Sequence, residues 1–390
     1  MHFTTTVEAL TNAWTYLQKI PVRPFTPEGT LVRAEGDVLT VTMTDTDMTM
    51  RIQIPGVTII EEGVLSFSLK SVMGSFKSCQ KTSEVNFWTT PVENEPNAQM
   101  LHVHVEDYDV ALLGQTESLT RMMDEMEEET LHSIVLSQNY LKQGLENSAF
   151  AAVTSANRAM RAIFQSVLVE LAPNEIRFIA TDTNNFAYFK RTNIDNQETL
   201  AICLPIKATE ILTGILREMS DSEVRFSFGE RFFSVATEDF TFIARLREGK
   251  FPDYHFAIPK GELHEVAVSR SEIKSALEFF ASYALSKDLP IEMIIQGEKM
   301  ELSLAKSRTV ALAKKPISCV SEGDKVYKLA FQMSALKNAF DHFSSQDVYL
   351  CIPDDEGIGS AILRPASEID ENVEFWQLIT TTDIAPLPEV

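Results

Sequence analysis

The sequence predicts an α+β protein in which one domain plan is used three times, with sheet and helix in separate layers. Two sets of matching segments carry this reading. FTTTVEAL (Phe3 to Leu10), IVLSQNYL (Ile134 to Leu141) and VAVSRSEI (Val266 to Ile273) are each a short alternating strand, a Ser or Thr, and the first turn of a helix. A second trio runs from strand into amphipathic helix: FSLKSVMGSFK from Phe67, CLPIKATEILTGIL from Cys203 and AFQMSALKNAF from Ala330. Each of these then meets another strand, SEVNFW, SEVRFSF or QDVYLCI. The copies stand about 130 residues apart, too far for a solenoid or propeller repeat and the size of a whole domain. Repetition on that scale places the function in the geometry of the assembled copies.

The remaining strands follow from period-two alternation and β-branched content. TLVRAEGDVLTVTMTD from Thr30, SVLVELAPNEIRFIATD from Ser166 and IEMIIQGEKMELSLAK from Ile291 read as hairpins whose turns hold Gly, Pro or Asn. The first two end in Thr-Asp (Thr44-Asp45 and Thr181-Asp182), whereas the third ends in Ala305-Lys306, base replacing acid. Boundaries are expected in SLTRMMDEMEEETLHS (Ser118 to Ser133), which is acidic and lacks alternation, and in FPDYHFAIPKGELHE (Phe251 to Glu265), which two prolines and a glycine interrupt. The three domains are therefore placed at 1–128, 129–256 and 257–390, the last ending in the aperiodic tail TTTDIAPLPEV.

Hydrophobic content of 44% and charged content of 23% over 390 residues are ordinary for a soluble globular chain. The longest apolar runs are strand-sized, and MHFTTTVEAL lacks a basic region followed by an apolar one, so a cytoplasmic protein is expected. Cys79, Cys203, Cys319 and Cys351 form no CxxC pair, which argues for reduced thiols and against a zinc site or a disulfide framework. No cofactor is expected.

A net charge of −22 counts against nucleic acid as a partner, because phosphate contacts need Lys and Arg. The distribution of charge matters more than its sum. Acid gathers in expected loops: EEG at Glu61, ENEP at Glu93, DEMEEE from Asp124 and PDDEG at Pro353. On a helix beginning near Lys70, Lys70, Lys77 and Lys81 fall within about 60° of one another. One such stripe is ordinarily a solvated face. Base recurs on every later helix, however: Lys142, then Lys207 and Arg217, then Arg270 and Lys274, then Lys337.

Catalytic patterns are weak. His102 and His104 alternate on one strand face but have no third metal ligand nearby, and Asp45, Asp47 and Asp182 sit at strand ends in equivalent copies, where a turn role suffices. GxSxG, Walker A, HExxH and GxGxxG patterns do not occur. A metal-dependent hydrolase is thus the rival class rather than the expectation.

Taken in order, these segments resemble the bacterial replicative sliding clamp, the β subunit of DNA polymerase III. RLREGKFPDY (Arg245 to Tyr254) is close to that family's signature run, FIATDTNNFAYF (Phe178 to Phe189) takes the place of its Ala-Thr-Asp segment, and MHFTTTVEAL followed by LTVTMTDTDMTMRIQIPG is similar to its first domain. The resemblance spans essentially the whole chain. It implies three tandem copies of the DNA-clamp fold in a head-to-tail homodimer that closes into a ring, helices lining the hole and sheets outside. Such a ring encircles duplex DNA without regard to sequence and tethers DNA polymerase, clamp-loader subunits and repair proteins through linear peptide motifs. It is a processivity subunit, not an enzyme. Modest basic helix faces within an acidic protein suit this, since a topological hold needs only weak, salt-sensitive contact and no base-reading element.

The resemblance also implies sites. Its partner-peptide cleft maps to Phe164, Thr181, Phe186, Arg225 and Phe226, with Leu289, Gln332, Ile358, Trp376, Leu378 and Ile379 from the last third. Its DNA contacts map to Arg23, Asn157, Arg158 and Arg161, joined by the helix bases Lys70, Lys77, Lys81, Lys142, Lys207, Arg217, Lys274 and Lys337. Its dimer interface would set Tyr108 and Val110 against Tyr283 and Leu285. The sequence departs from the family where Thr183, Asn184 and Asn185 replace the usual Gly, His or Tyr, and Arg. FWQLI (Phe375 to Ile379) lacks the family's Pro and runs on for about ten residues, and SLAKSRTVALAKK (Ser303 to Lys315) is basic where some relatives are acidic. A more aromatic cleft is therefore expected, with the tail near its mouth, and a plasmid, phage or repair-dedicated paralogue is the alternative to the chromosomal clamp.

Overall fold

The junction read in the sequence, a strand running directly into a helix, is built six times among the described residues. The computed structural model describes residues 1–383 apart from 22–29, 46, 117–124, 126–128, 130–131, 155–161, 284–288, 305–312, 324, 354–358 and 368–369. Each junction opens a β-α-β-β-β module. The first holds β1 (His2–Thr6), α1 (Val7–Leu17), β2 (Thr30–Glu35), β3 (Val38–Thr44) and β4 (Met48–Ile54), followed by an extra strand β5 (Thr58–Glu61). The second holds β6 (Gly63–Ser66), α2 (Leu69–Ser75), β7 (Glu84–Pro91), β8 (Ala98–Val105) and β9 (Tyr108–Gln115). The middle third gives β10 (His132–Ser137), α3 (Gln138–Ala149), β11 (Ser166–Ala172), β12 (Glu175–Thr181) and β13 (Asn185–Thr192). It continues with β14 (Leu200–Pro205), α4 (Ile206–Leu216), β15 (Glu223–Phe228), β16 (Phe232–Ala236) and β17 (Phe240–Arg245). The last third repeats the plan in β18 (Leu263–Ser269), α5 (Arg270–Ala281), β19 (Pro290–Gln296), β20 (Lys299–Leu304) and β21 (Lys314–Ser321). It closes with β22 (Val326–Gln332), α6 (Met333–Asp341), β23 (Asp347–Pro353), β24 (Ser360–Pro365) and β25 (Val373–Thr380).

Local chemistry explains the junctions. At the first, Thr6 Oγ1 accepts the Ala9 backbone N–H at 3.2 Å, a helix cap of the kind that contributes about 1 kcal/mol, and Val7, Leu10, Ala13 and Leu17 form the buried stripe behind it. The hairpins turn where the sequence places Gly or Asn: Gly36, Asn174 and Gly297 all adopt positive φ between paired strands. The two Thr-Asp pairs are structural twins. Asp45 Oδ1 accepts the N–H groups of Asp47 and Met48, both at 2.7 Å, as Asp182 Oδ1 accepts those of Asn184 at 2.9 Å and Asn185 at 2.6 Å. These carboxylates hold turns.

All pairings among the described strands are antiparallel, and they form two long sheets. One runs β10-β15-β16-β17-β4-β3-β2-β6-β9-β8-β7-β1-β5, and the other β14-β11-β12-β13-β25-β24-β23-β18-β21-β20-β19-β22. The middle third is therefore shared. β17 joins the first third through β4, with Phe242 opposite Met50, and β13 joins the last third through β25, with Phe186 opposite Leu378. Two compact units result, one of residues 1–139 with 210–246 and the other of 140–209 with 247–390. Division by contact thus cuts the middle repeat in two, whereas the boundaries at 1–128, 129–256 and 257–390 follow the sequence repeat. No helix among the described residues is long and apolar enough to cross a membrane.

The structure corrects one expectation. α2 ends at Ser75, and Phe76–Ser78 tighten into a 3₁₀ turn. Gly74 and Ser75 are poor helix formers, and Phe76 turns inward to be buried. Lys70, Lys77 and Lys81 are all exposed, but they lie on a helix, a 3₁₀ turn and a loop and form no single stripe.

Helix α3 packs against the sheet of the second unit through a glycine. A methyl group on Gly144 would lie 2.3 Å from the ring of the fully buried Phe178. Gly144→Ala should therefore destabilise the protein by roughly 1–3 kcal/mol despite alanine's better helix propensity, as read by chemical denaturation. An unchanged or raised midpoint would show that the packing at this point can yield.

Candidate functional site

Among the predicted residues, a subset converges in the second unit. Strand alternation puts Phe186 and Tyr188 of β13 on one face, and the register sets Leu378 and Trp376 of β25 directly opposite them. Trp376 stacks on Phe186 at 5.3 Å and on Tyr188 at 4.8 Å between ring centroids. The segment after β17 completes the cluster. Asp253 caps a one-turn 3₁₀ helix, accepting the His255 N–H at 3.1 Å, and this turn carries Tyr254 to within 5.6 Å of the Phe186 ring. Phe251 meets Phe164 edge to face at 6.3 Å. Ile163, Leu168, Ile179 and Cys203 fill the base, with Phe164, Ile258 and Trp376 packed against it partly exposed.

Polar groups ring this apolar cluster. Tyr254 Oη donates to Glu170 at 2.8 Å, Arg177 pairs with Glu175 and, at 3.5 Å, with Glu170, and Trp376 Nε1 donates to Glu374 at 3.2 Å. Burial first, and the Glu374 charge next, push the Tyr188 phenol up to about 12. Burial and the hydrogen bond to Glu170 raise Tyr254 as well. Both phenols therefore stay neutral donors at physiological pH. Thr181 Oγ1 donates to the Asn185 carbonyl at 2.7 Å and accepts the Thr183 N–H at 3.0 Å, fixing the turn that leads into Phe186. The result is a largely buried aromatic cluster that reaches the surface through Phe164, Ile258 and Trp376 and is bordered by a few directed polar groups.

Comparison with known proteins bears on what such a surface serves. The DNA polymerase III beta subunit central domain family matches residues 135–253. The beta sliding clamp of Pseudomonas aeruginosa is 22% identical over 385 residues, covering 95% of this chain and 97% of that protein. That of Pseudomonas putida is 25% identical over 238 residues, covering 61% of this chain and 63% of the relative's length. The crystal structure of the P. aeruginosa DNA polymerase III subunit beta superposes with a TM-score of 0.84 at 20% identity, covering 98% of this chain and 100% of that one. A Caulobacter crescentus DNA polymerase sliding clamp gives 0.83 at 15% identity over 98% and 100%. The chain is similar in sequence and in fold to the bacterial sliding clamps. It shares their α+β fold over nearly its whole length.

Of the residues mapped from the clamp family to a partner cleft, Phe164, Phe186, Trp376 and Leu378 come together, with Thr181 at the turn beside them. Others do not join them. Ile379 alternates to the opposite face of β25, as does Gln377, whose Nε2 donates to the Ala339 carbonyl at 3.1 Å. Leu289 and Gln332 lie at the end of the β19–β22 pair, outside the cluster. Phe226 belongs to the first unit, fully buried with Phe228 at 5.3 Å and Phe233 at 6.3 Å, because β15 turns Val224, Phe226 and Phe228 inward. Arg225, its exposed neighbour, is likewise in the first unit, opposite Val135 and Ala236. Ile358 lies outside the described residues.

The sequence reading missed Tyr188, Phe251, Tyr254 and Ile258 as cluster members. Alternation from Phe186 signalled Tyr188. Phe251 and Tyr254 stood in the signature run itself, but a Pro-interrupted segment has no period from which to infer a facing side.

Elsewhere, Lys207, Arg217 and Lys337 are exposed, Lys142 is half-buried, and Lys274 is paired with Asp341 at 2.5 Å. Arg23, Asn157, Arg158, Arg161 and Leu285 lie outside the described residues. Tyr108 and Tyr283 are exposed and Val110 half-buried. β9 meets β6 at the single pair Ser66 and Gln115, so from Tyr108 to Gly114 it has a strand partner on one side among the described residues. His102 stacks on Trp88 and bonds Thr90 at 3.0 Å, while His104 pairs with Asp109 at 2.8 Å.

Proposed function

We propose that the chain is a non-catalytic sliding clamp of a DNA polymerase. Two subunits associate head to tail into a ring, the ring encircles duplex DNA, and polymerase and clamp-loader subunits are tethered through linear peptides. The observation that carries this reading is the fold, which corresponds over 98% of the chain to that of the P. aeruginosa subunit beta at a TM-score of 0.84. The half-open edge of β9 with exposed Tyr108 supports it as one side of a subunit interface, with Tyr283 on the other. The aromatic cluster around Phe186 supports it as the anchor pocket for partner peptides. Lys70, Lys77, Lys81, Lys142, Lys207, Arg217, Lys274 and Lys337, with Arg23, Asn157, Arg158 and Arg161, would supply weak sequence-blind contact to phosphates. The Thr183-Asn184-Asn185 turn and the FWQLI run without the family's Pro depart from the family pattern and favour a partner set of its own, as in a clamp dedicated to a plasmid, phage or repair polymerase.

Solution mass and DNA retention test the proposal together. The protein should behave as a dimer of twice the 43.8 kDa chain, about 88 kDa. Once loaded, it should remain on closed circular DNA and slide off the same DNA after linearisation. A monomer at micromolar concentration, or equal retention on the two forms, would overturn the reading.

A further inference from the structure

The last strand in the sheet of the second unit, β22, has β19 on one side and no strand on the other among the described residues. Its register shows which backbone groups face the open side. Met333 N–H donates to the Leu289 carbonyl, in phase with the Phe331–Ile291 and Leu329–Met293 pairs, so the odd-numbered residues of β22 bond β19. The even-numbered ones, Val326, Lys328 and Ala330, direct their N–H and C=O groups to the edge. One of these groups is taken by the chain itself. After β25, Thr381 N–H donates to the Gly359 carbonyl at 3.0 Å and Thr382 N–H to the Ala330 carbonyl at 2.8 Å. Ala330 is buried where Thr382 is bonded, whereas Val326 and Lys328, further along the same row, are exposed. A groove of about 320 Å³ leads from Thr382 and Asp383 past Ala330 to Lys328 and Ile294, against the direction of β22.

We propose that the segment following Asp383, Ile384 to Val390 (IAPLPEV), occupies this groove and closes the edge of β22 as a short antiparallel strap. Continuing the rung between Thr382 and Ala330 sets Ile384 opposite Lys328, where the two exchange backbone hydrogen bonds, and Pro386 opposite Val326. Ile384 is β-branched and suits a strand, and it covers the methylenes of Lys328, whose other neighbour in that row is Ile294. Every second residue of a paired strand donates to its neighbour, so Pro386 and Pro388, which have no N–H, fall where a donor to β22 is required. Pairing therefore stops after Ile384. The strap thus covers the edge without offering a template for further strands, so a second copy or another extended chain finds no row of free N–H and C=O groups. The occupant is this chain's own tail because its first rung is already made, and a tethered segment enters the groove without an encounter in solution. The strap depends on the geometry of the second unit alone and stands whether or not the protein encircles DNA.

Hydrogen exchange, read residue by residue by mass spectrometry with electron-transfer fragmentation, compares the full chain with one ending at Asp383. The Lys328 amide should exchange at least about tenfold more slowly in the full chain. The Leu329 amide, bonded to β19, should exchange equally in both and reports that the sheet is intact. Ile384→Pro in the full chain removes the remaining donor and sets a ring against the Lys328 carbonyl, so it should release the Lys328 amide to the rate of the shortened chain. Equal exchange at Lys328 in the full and shortened chains, or no change in Ile384→Pro, would overturn the proposal. So would protection of Lys328 that grows with protein concentration and survives the shortening, since a second copy would then cover the edge. If shortening opens the sheet at Leu329, the comparison of the full chain with Ile384→Pro decides alone.

Discussion

Phe226→Ala is expected to lower stability by roughly 3–5 kcal/mol, among the largest effects a single substitution in this chain can have. The side chain is fully buried, touches Phe228 and Phe233, and lies opposite Val235 on β16 and Ile134 on β10. Removing six ring carbons there leaves a cavity lined by aromatic rings, which stacked strands on both sides cannot collapse to fill. The loss should appear as a lower denaturant midpoint with the slope unchanged. In variant protein kept folded at low temperature, peptide binding should match that of the unaltered chain, because Phe226 takes no part in the cluster around Phe186. A stability loss under about 1 kcal/mol, with a large loss of peptide affinity, would return Phe226 to the cleft that the family resemblance assigned it.

Why Phe186 joins the aromatic cluster and Phe226 does not follows from how sheets bury residues. A strand covered on one face shows clean alternation, but β13 reads NFAYFKRT and buries Asn185 through Phe189 without a break. Phe186 and Tyr188 point to one side of it, Ala187 and Phe189 to the other. Hydrophobic pattern alone cannot say which of the two sides carries the aromatic cluster. β15 poses the same problem with the opposite answer. Local signals were legible throughout: the Ser and Thr at strand–helix junctions, the Gly and Asn in hairpin turns, and the Thr-Asp pairs whose carboxylates close them. Each is decided within a few residues. What was not legible is long-range. The pairing of β13 with β25 joins positions nearly 190 residues apart, and no local composition announces it. It is this pairing that stacks Trp376 on Phe186 and Tyr188 and builds the aromatic cluster. The basic stripe from Lys70 to Lys81 failed for a local reason instead, since a fixed 100° step assumes a helix that Gly74 and Ser75 do not sustain.

Phe186→Ala is expected to weaken binding of a linear partner peptide with apolar anchors at least tenfold, corresponding to about 2 kcal/mol or more, while the subunits stay associated. Phe186 sits where three elements meet: Leu378 faces it across the β13–β25 pair, Trp376 stacks on it, and Tyr254 leans on it from the 3₁₀ turn. Its removal takes away the wall of the pocket and also a ring that holds Trp376 and Tyr254 in place. The peptide then loses direct contact and meets a surface that has to be ordered on binding. The residues assigned to the subunit interface, Tyr108 and Tyr283, lie on other elements, β9 and the turn after α5, so the dimer should keep its mass. Isothermal titration of the peptide into the variant, with light scattering on the same sample, checks both halves. An affinity within twofold of the unaltered protein would mean that partners dock elsewhere. Loss of the dimer together with the affinity would mean that Phe186 supports the fold of the whole subunit rather than a pocket on its surface.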